Sequence, residues 1–176
     1  MTEGLPLTRD YNLARLGNAG DRVHFAADED QRAALAKWSG VVSVERLEAE
    51  VDIRKISATR FGLSFHLTAD VTQSCVVTLE PVVSHLDRRF DRELHFAGGP
   101  IRHKALESEP ELVLDADPDE GPEEIQSLHY DLAVPVLEEY ALSLDPYPRR
   151  QGVEFAPEND PEDRPESPFA VLKGLK

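Results

Sequence analysis

Cysteine is almost missing from this chain. Cys75 is the only one in 176 residues, so no internal disulfide can form and no multi-thiolate metal site can be built within one copy. The fold must therefore rest on its own apolar core. Long apolar runs are missing too: no window approaches the ~20 consecutive apolar residues of a membrane helix, and the opening MTEGLPLTRDYNL offers neither a basic leader nor an apolar stretch for cleavage. The expectation is a soluble, cytoplasmic protein that does not engage a membrane. Positive charge is scarce, with 19 Lys and Arg against 34 Asp and Glu, a net charge of −15. Such a field opposes nonspecific attraction to nucleic-acid phosphate or anionic lipid and excludes a general nucleic-acid coat protein. There is no glycine-rich phosphate loop, no dinucleotide fingerprint, no nucleophile elbow around a serine and no internal repeat. The 6 histidines show no i, i+3 or i, i+4 pairing on an expected helix, which speaks against a zinc site. No cofactor is expected, and the length suits one domain with appendages.

What is present is unevenly distributed. The stretch 107–145 holds 13 acidic residues and no Lys or Arg, which is nearly the whole imbalance of the chain. Its first part, ESEPELVLDADPDEGPEE, reads as an acidic loop over 107–124. This is either a solvated loop or a docking strip for a basic partner, with Glu107, Glu109, Glu111, Asp115, Asp117, Asp119 and Glu120 as the candidate contacts. By contrast, 85–104 gathers Arg88, Arg89, Arg92, Arg102 and Lys104 with three histidines, diluted by Asp87, Asp91 and Glu93. Arg88, Arg89 and Arg92 are the candidate RNA contacts there, against the plainer account of charges on the outer face of a strand.

Periodicity decides the fold class. From Asp28, DEDQRAALAKWSG opens with acids suited to the positive end of a helix dipole and closes on Gly40, a left-handed cap, so a short helix is expected. Leu47, Ala49, Val51 and Ile53 then alternate with charged residues, and Phe61, Leu63, Phe65, Leu67, Ala69 and Val71 alternate with polar ones after a break at 57–60. Two antiparallel strands at hairpin distance follow from this pattern. A third run, with Val82, Leu86, Phe90, Leu94 and Phe96 on one parity, extends the meander, although Arg88 and Arg92 interrupt its apolar face and the four-residue spacing would also suit a helix. His66 falls on the polar parity of its strand and reads as a surface residue. Cys75 lies between valine-rich strand segments and reads as packing. Gly98-Gly99-Pro100 reads as a turn.

From Asp131 the period changes. Ala133, Val136, Leu137, Tyr140, Ala141 and Leu144 recur at three- and four-residue steps, with Glu138 and Glu139 outward, Asp131 as N-cap, Pro135 near the first turn, and Pro146 and Pro148 as the stop. The remainder is proline-dense up to Phe169, and ends in the apolar motif PFAVLKGLK at 168–176, which either folds back on the core or serves a partner. The expected architecture is α+β: an antiparallel meander of at least three strands packed by two main helices in a domain spanning 1–148, with a Pro-rich tail over 149–176.

Three stretches together resemble the YceD-like proteins, implicated in accumulation of large-subunit ribosomal RNA. They are VTQSCVVTLEPV at 71–82, which carries Cys75 and Pro81; Asp131 and Leu132 followed by VLEEYALSL at 136–144, with Glu138, Glu139 and the PYP exit at 146–148; and PFAVLKGLK, with Pro168 and Phe169. The resemblance implies a bacterial or organellar cytosolic factor that supports synthesis, processing or stability of large-subunit ribosomal RNA, with no established enzymatic activity. Many relatives carry a second cysteine three residues after the first, where this chain has Thr78. A zinc or redox role is thus not implied for the single thiol. The expected partner is a basic ribosomal protein or a precursor of the large subunit, with local ribosomal RNA contact through the arginines. The rival readings are a metal-dependent RNA-processing enzyme using acidic residues, which a proline-broken acidic loop suits poorly, and a chaperone-like binder of one unfolded basic ribosomal protein.

Overall fold

Alternating burial marks three consecutive strands in the computed structural model, most regularly β4 (Arg60–Ser74), and the structure describes residues 4–98 and 121–153. In chain order the elements are β1 (Asp10–Asn12), a single 3-10 turn (Leu13–Arg15), β2 (Asp21–Ala26), α1 (Glu29–Ser39), β3 (Ser43–Lys55), β4 (Arg60–Ser74), β5 (Pro81–Phe96), β6 (Glu123–Ile125), β7 (His129–Asp131) and α2 (Ala133–Ser143). Strands β2, β3, β4 and β5 form an antiparallel meander. The long partners β3 and β4 match Ile53 to Leu63, Val51 to Phe65, Ala49 to Leu67 and Leu47 to Ala69, so the apolar parity of each strand falls on one face. Phe61, Leu63, Phe65, Leu67, Ala69 and Val71 of β4 are buried there, and the ring of Phe65 stacks on Phe90 of β5 at 4.7 Å.

Both helices bury residues in the same cluster as this face. Leu35 comes from α1, and Ala133, Val136, Leu137 and Tyr140 from α2. The α1 boundaries follow the sequence. Asp28 accepts from the Gln31 N–H at 2.9 Å while Gln31 Oε1 accepts from the Asp28 N–H at 2.9 Å, a reciprocal capping box. Gly40 closes the helix at φ 71, where a side chain would be strained. Asp28→Ala should therefore lower stability by about 1 kcal/mol in a urea titration, with the slope of the transition unchanged.

The structure departs from the antiparallel expectation at one edge. Strand β6 pairs parallel to the end of β5, matching Leu94 to Glu123 and Phe96 to Ile125, so the five-stranded sheet, ordered β2-β3-β4-β5-β6, is mixed. A further two-stranded ribbon joins β1 to β7 antiparallel, pairing Tyr11 with Tyr130. Three-residue strands carry too few positions for a period to be read, which is why β1, β6 and β7 have no signature in the sequence. The expected cap of α2 is also displaced. Leu132 occupies the N-cap without a side-chain bond, and Asp131 stands one residue earlier. From there its Oδ1 still accepts from the Ala133 N–H at 2.9 Å, and it accepts from the Arg9 N–H at 2.6 Å as well. The carboxylate thus ties the start of α2 to the chain entering β1.

The other face of the sheet is polar. Arg22 pairs with Asp52 at 2.7 Å, Arg46 with Glu48 at 2.6 Å, and Arg60 with Glu93. His66 meets Asp87 at 3.1 Å and His85 meets Asp70 at 2.6 Å, which accounts for the polar parity on which His66 lies. Exposed pairs of this kind stabilise by ~0–1 kcal/mol each. No described helix is long and apolar enough to cross a membrane.

Candidate functional site

The turn between β4 and β5 holds Cys75. Its N–H donates to Glu80 O at 2.8 Å, its carbonyl accepts from the Leu79 N–H at 2.9 Å, and Leu79 sits at φ 61, a left-handed conformation that is uncommon for a leucine. Pro81 opens β5 opposite Ser74. The Cys75–Glu80 pair is hydrogen-bonded, so by alternation the next pair is not, and the missing N–H of Pro81 costs the ladder nothing.

Cys75 is buried, as its strand context suggested, and polar donors lie among its surroundings. The Thr78 hydroxyl, which donates to Glu80 Oε2 at 3.2 Å, and the N–H groups of Arg150, Thr78 and Val77 lie beside its sulfur. Led by the Thr78 hydrogen bond, these donors bring the thiol from 9.0 down to about 6, against the opposing effect of burial. Glu80, beside the same turn, accepts from the Arg150 guanidinium at 2.6 Å, and that pairing holds its carboxyl below the usual range.

The exit of α2 is sewn onto this turn. Val76 N–H donates to Pro148 O at 2.9 Å, and Gln73 Nε2 donates to Asp145 O at 2.8 Å, while the buried Gln73 Oε1 has no partner among the described residues. Two stretches far apart in the sequence, the cysteine-bearing turn and the proline exit of α2, therefore form one structural unit at one end of the sheet. The hydrogen bonds that join the cysteine turn to the exit of α2 make this unit a staple between the two segments.

The depressed thiol gives a stability signature with a definite sign. A group with a lowered folded pKa contributes fully above its unfolded value and loses that contribution as pH falls through the folded one. The stability of the native chain relative to Cys75→Ala should thus climb from pH 6 to pH 9, and Thr78→Val should move the thiolate absorbance titration upward from about 6. A titration left in place by Thr78→Val would contradict the assigned donor.

The remaining candidates are dispersed. Arg88 and Arg92 lie on the parity of β5 that faces α2: Arg88 donates to Ser143 Oγ at 3.0 Å and Arg92 to Glu138 Oε2 at 3.2 Å. Arg89 lies on the opposite, open face, in register with His66. The three arginines therefore do not form one patch. Glu139 accepts from Ser143 Oγ at 3.3 Å, and Asp131 is engaged at the far end of α2. Glu107, Glu109, Glu111, Asp115, Asp117, Asp119, Glu120, Pro168 and Phe169 lie outside the described residues. Sequence reasoning missed Thr78, Glu80, Arg150 and Gln73. Glu80 and Arg150 are separated by 70 positions, and no local pattern announces such a pair.

Residues 63–176, which contain the cysteine turn, β5, α2 and its exit, match the family described as large ribosomal RNA subunit accumulation protein YceD. The chain belongs to the YceD family. The match begins inside β4, so the YceD region includes the turn unit and the acidic stretch, while β1, β2, β3 and α1 precede it. No curated protein and no solved structure matches the chain significantly. The YceD name associates the family with accumulation of the large ribosomal RNA subunit.

Proposed function

We propose that this chain is a non-catalytic ribosome-biogenesis factor that supports synthesis, processing or stability of large-subunit ribosomal RNA by holding a basic ribosomal protein or a precursor particle. The observation that carries the reading is the charge distribution within the YceD region: 13 acidic residues and no Lys or Arg over 107–145. A strip of one sign attracts a partner of the other and raises its encounter rate. The placement of the arginines supports a protein partner over bare RNA, because Arg88 and Arg92 are turned toward Ser143 and Glu138 of α2.

The reading is tested by affinity capture from a bacterial lysate at low salt, analysed for protein and RNA and repeated at high salt. Capture of a basic large-subunit protein or precursor particles, lost at high salt, is expected. Recovery of naked RNA alone would refute the protein-partner reading. Magnesium-dependent cleavage of ribosomal RNA fragments by the pure chain, abolished by single acid-to-amide changes, would replace it with an enzymatic one.

A further inference from the structure

Trp38 is the one tryptophan of the chain, and it stands 45% exposed near the end of α1. Ser39 Oγ, which donates to Leu35 O at 2.8 Å, lies 3.2 Å from the Tyr140 hydroxyl, so the end of α1 meets the middle of α2. Beside this contact Leu5, Trp38, Val134, Leu137 and Ala141 line a groove of about 440 Å³, with Leu142 and Glu138 also at its walls. Glu138 is the only charged or polar residue among those lining it. Nothing among the described residues covers Trp38 or Leu5, which is 44% exposed. An aromatic ring grouped with other apolar side chains at the surface marks a docking surface, because each carries a large area that burial would remove from water.

We infer that the occupant of this groove is the chain's own segment PFAVLKGLK at 168–176, which lays Phe169 and Leu172 against Trp38 and the apolar side of α2. Its length of tether permits this. The structure describes the chain as far as Val153, whose N–H donates to Arg150 O past the exit of α2, and residues 154–167 lie between that point and Pro168. At ~3.3–3.6 Å per residue they reach up to about 50 Å, against about 16 Å for the whole of α2. Charge then selects the segment. α2 carries Glu138 and Glu139 and no Lys or Arg, whereas 168–176 carries Lys173 and Lys176 and no acid. A carboxylate accepts from several donors, so the bond of Glu138 with Arg92 does not prevent it from taking a lysine. The apolar run Leu112-Val113-Leu114 lies between Glu111 and Asp115 and would set like charges against the same carboxylates.

Two readouts on the full chain test this from opposite sides. Trp38 reports on the groove: Phe169→Ser together with Leu172→Ser should shift its emission to longer wavelength and quicken acrylamide quenching, equally at every protein concentration. Lys173 reports on the segment, through trypsin cleavage after it. Ala141→Gln sets a polar chain into the groove at an exposed helical position. It should raise that cleavage rate by about tenfold, because cleavage follows the population of the released form and a lost apolar contact is worth about that factor. Circular dichroism verifies that each variant is folded. Trp38 emission and quenching indifferent to the serine changes, a cleavage rate indifferent to Ala141→Gln, or shielding of Trp38 that grows with protein concentration and so comes from a second copy, would overturn the assignment.

Discussion

Converting Glu107, Glu109, Glu111, Asp115, Asp117, Asp119 and Glu120 to their amides should weaken capture of the basic partner by about tenfold or more. The change takes the net charge from −15 to −8, all of it from the acidic strip. At about 0.15 M salt charges are screened over roughly 8 Å, so a partner held by close charge contacts remains bound while more distant attraction fades. The native chain should accordingly lose affinity steeply as salt is raised, and the amide variant should bind weakly at low salt with a shallower dependence. The measurement is a binding titration against the captured partner at several salt concentrations. Equal affinity and equal salt slope for the two chains would end the docking role of this strip. A truncation is a poorer test, because it changes length as well as charge.

Leu67→Ala should lower stability by about 2–5 kcal/mol. Leu67 is fully buried in β4, which has strands on both sides, and its register partners are Ala49 of β3 and Arg88 of β5. Ala49 is small, and the surrounding ladder is tied along both edges, so the site cannot collapse to fill the gap. For a chain of this size the melting temperature should fall by roughly 5–15 °C. Leu142→Ala on α2 provides the contrast: Leu142 is 82% exposed, and its truncation should change stability by no more than about 0.5 kcal/mol. Thermal unfolding of both variants side by side checks the pair. Similar losses from the two would show that burial in β4 does not dominate the stability of the domain.

The candidate site was only partly legible. The sequence placed Cys75 between valine-rich strand segments, and Thr78 stood where the resemblance to relatives would place a second cysteine. That the sulfur is held by donors, with an N–H of Arg150 among them, was not visible, since those donors come from two segments. The basic cluster shows the opposite case. Arg88, Arg89 and Arg92 are neighbours in sequence, and strand alternation by itself separates Arg89 from the other two. What it could not show is that α2 covers one of the two faces, which turns Arg88 and Arg92 into ties to Ser143 and Glu138.

The amino-acid order by itself determined the elements whose logic is local: the period-two runs of β3, β4 and β5, the capping box and glycine stop of α1, and the apolar stripe and proline exit of α2. Each of these depends on side-chain spacing over a few residues, which a linear pattern records directly. Only the tertiary structure decided the parallel return of β6, the β1–β7 ribbon and the Glu80–Arg150 link between the turn and the exit of α2. Those contacts join short segments distant along the chain. Their partners are chosen by which surfaces the packed core brings within bonding distance, not by any periodicity the segments carry.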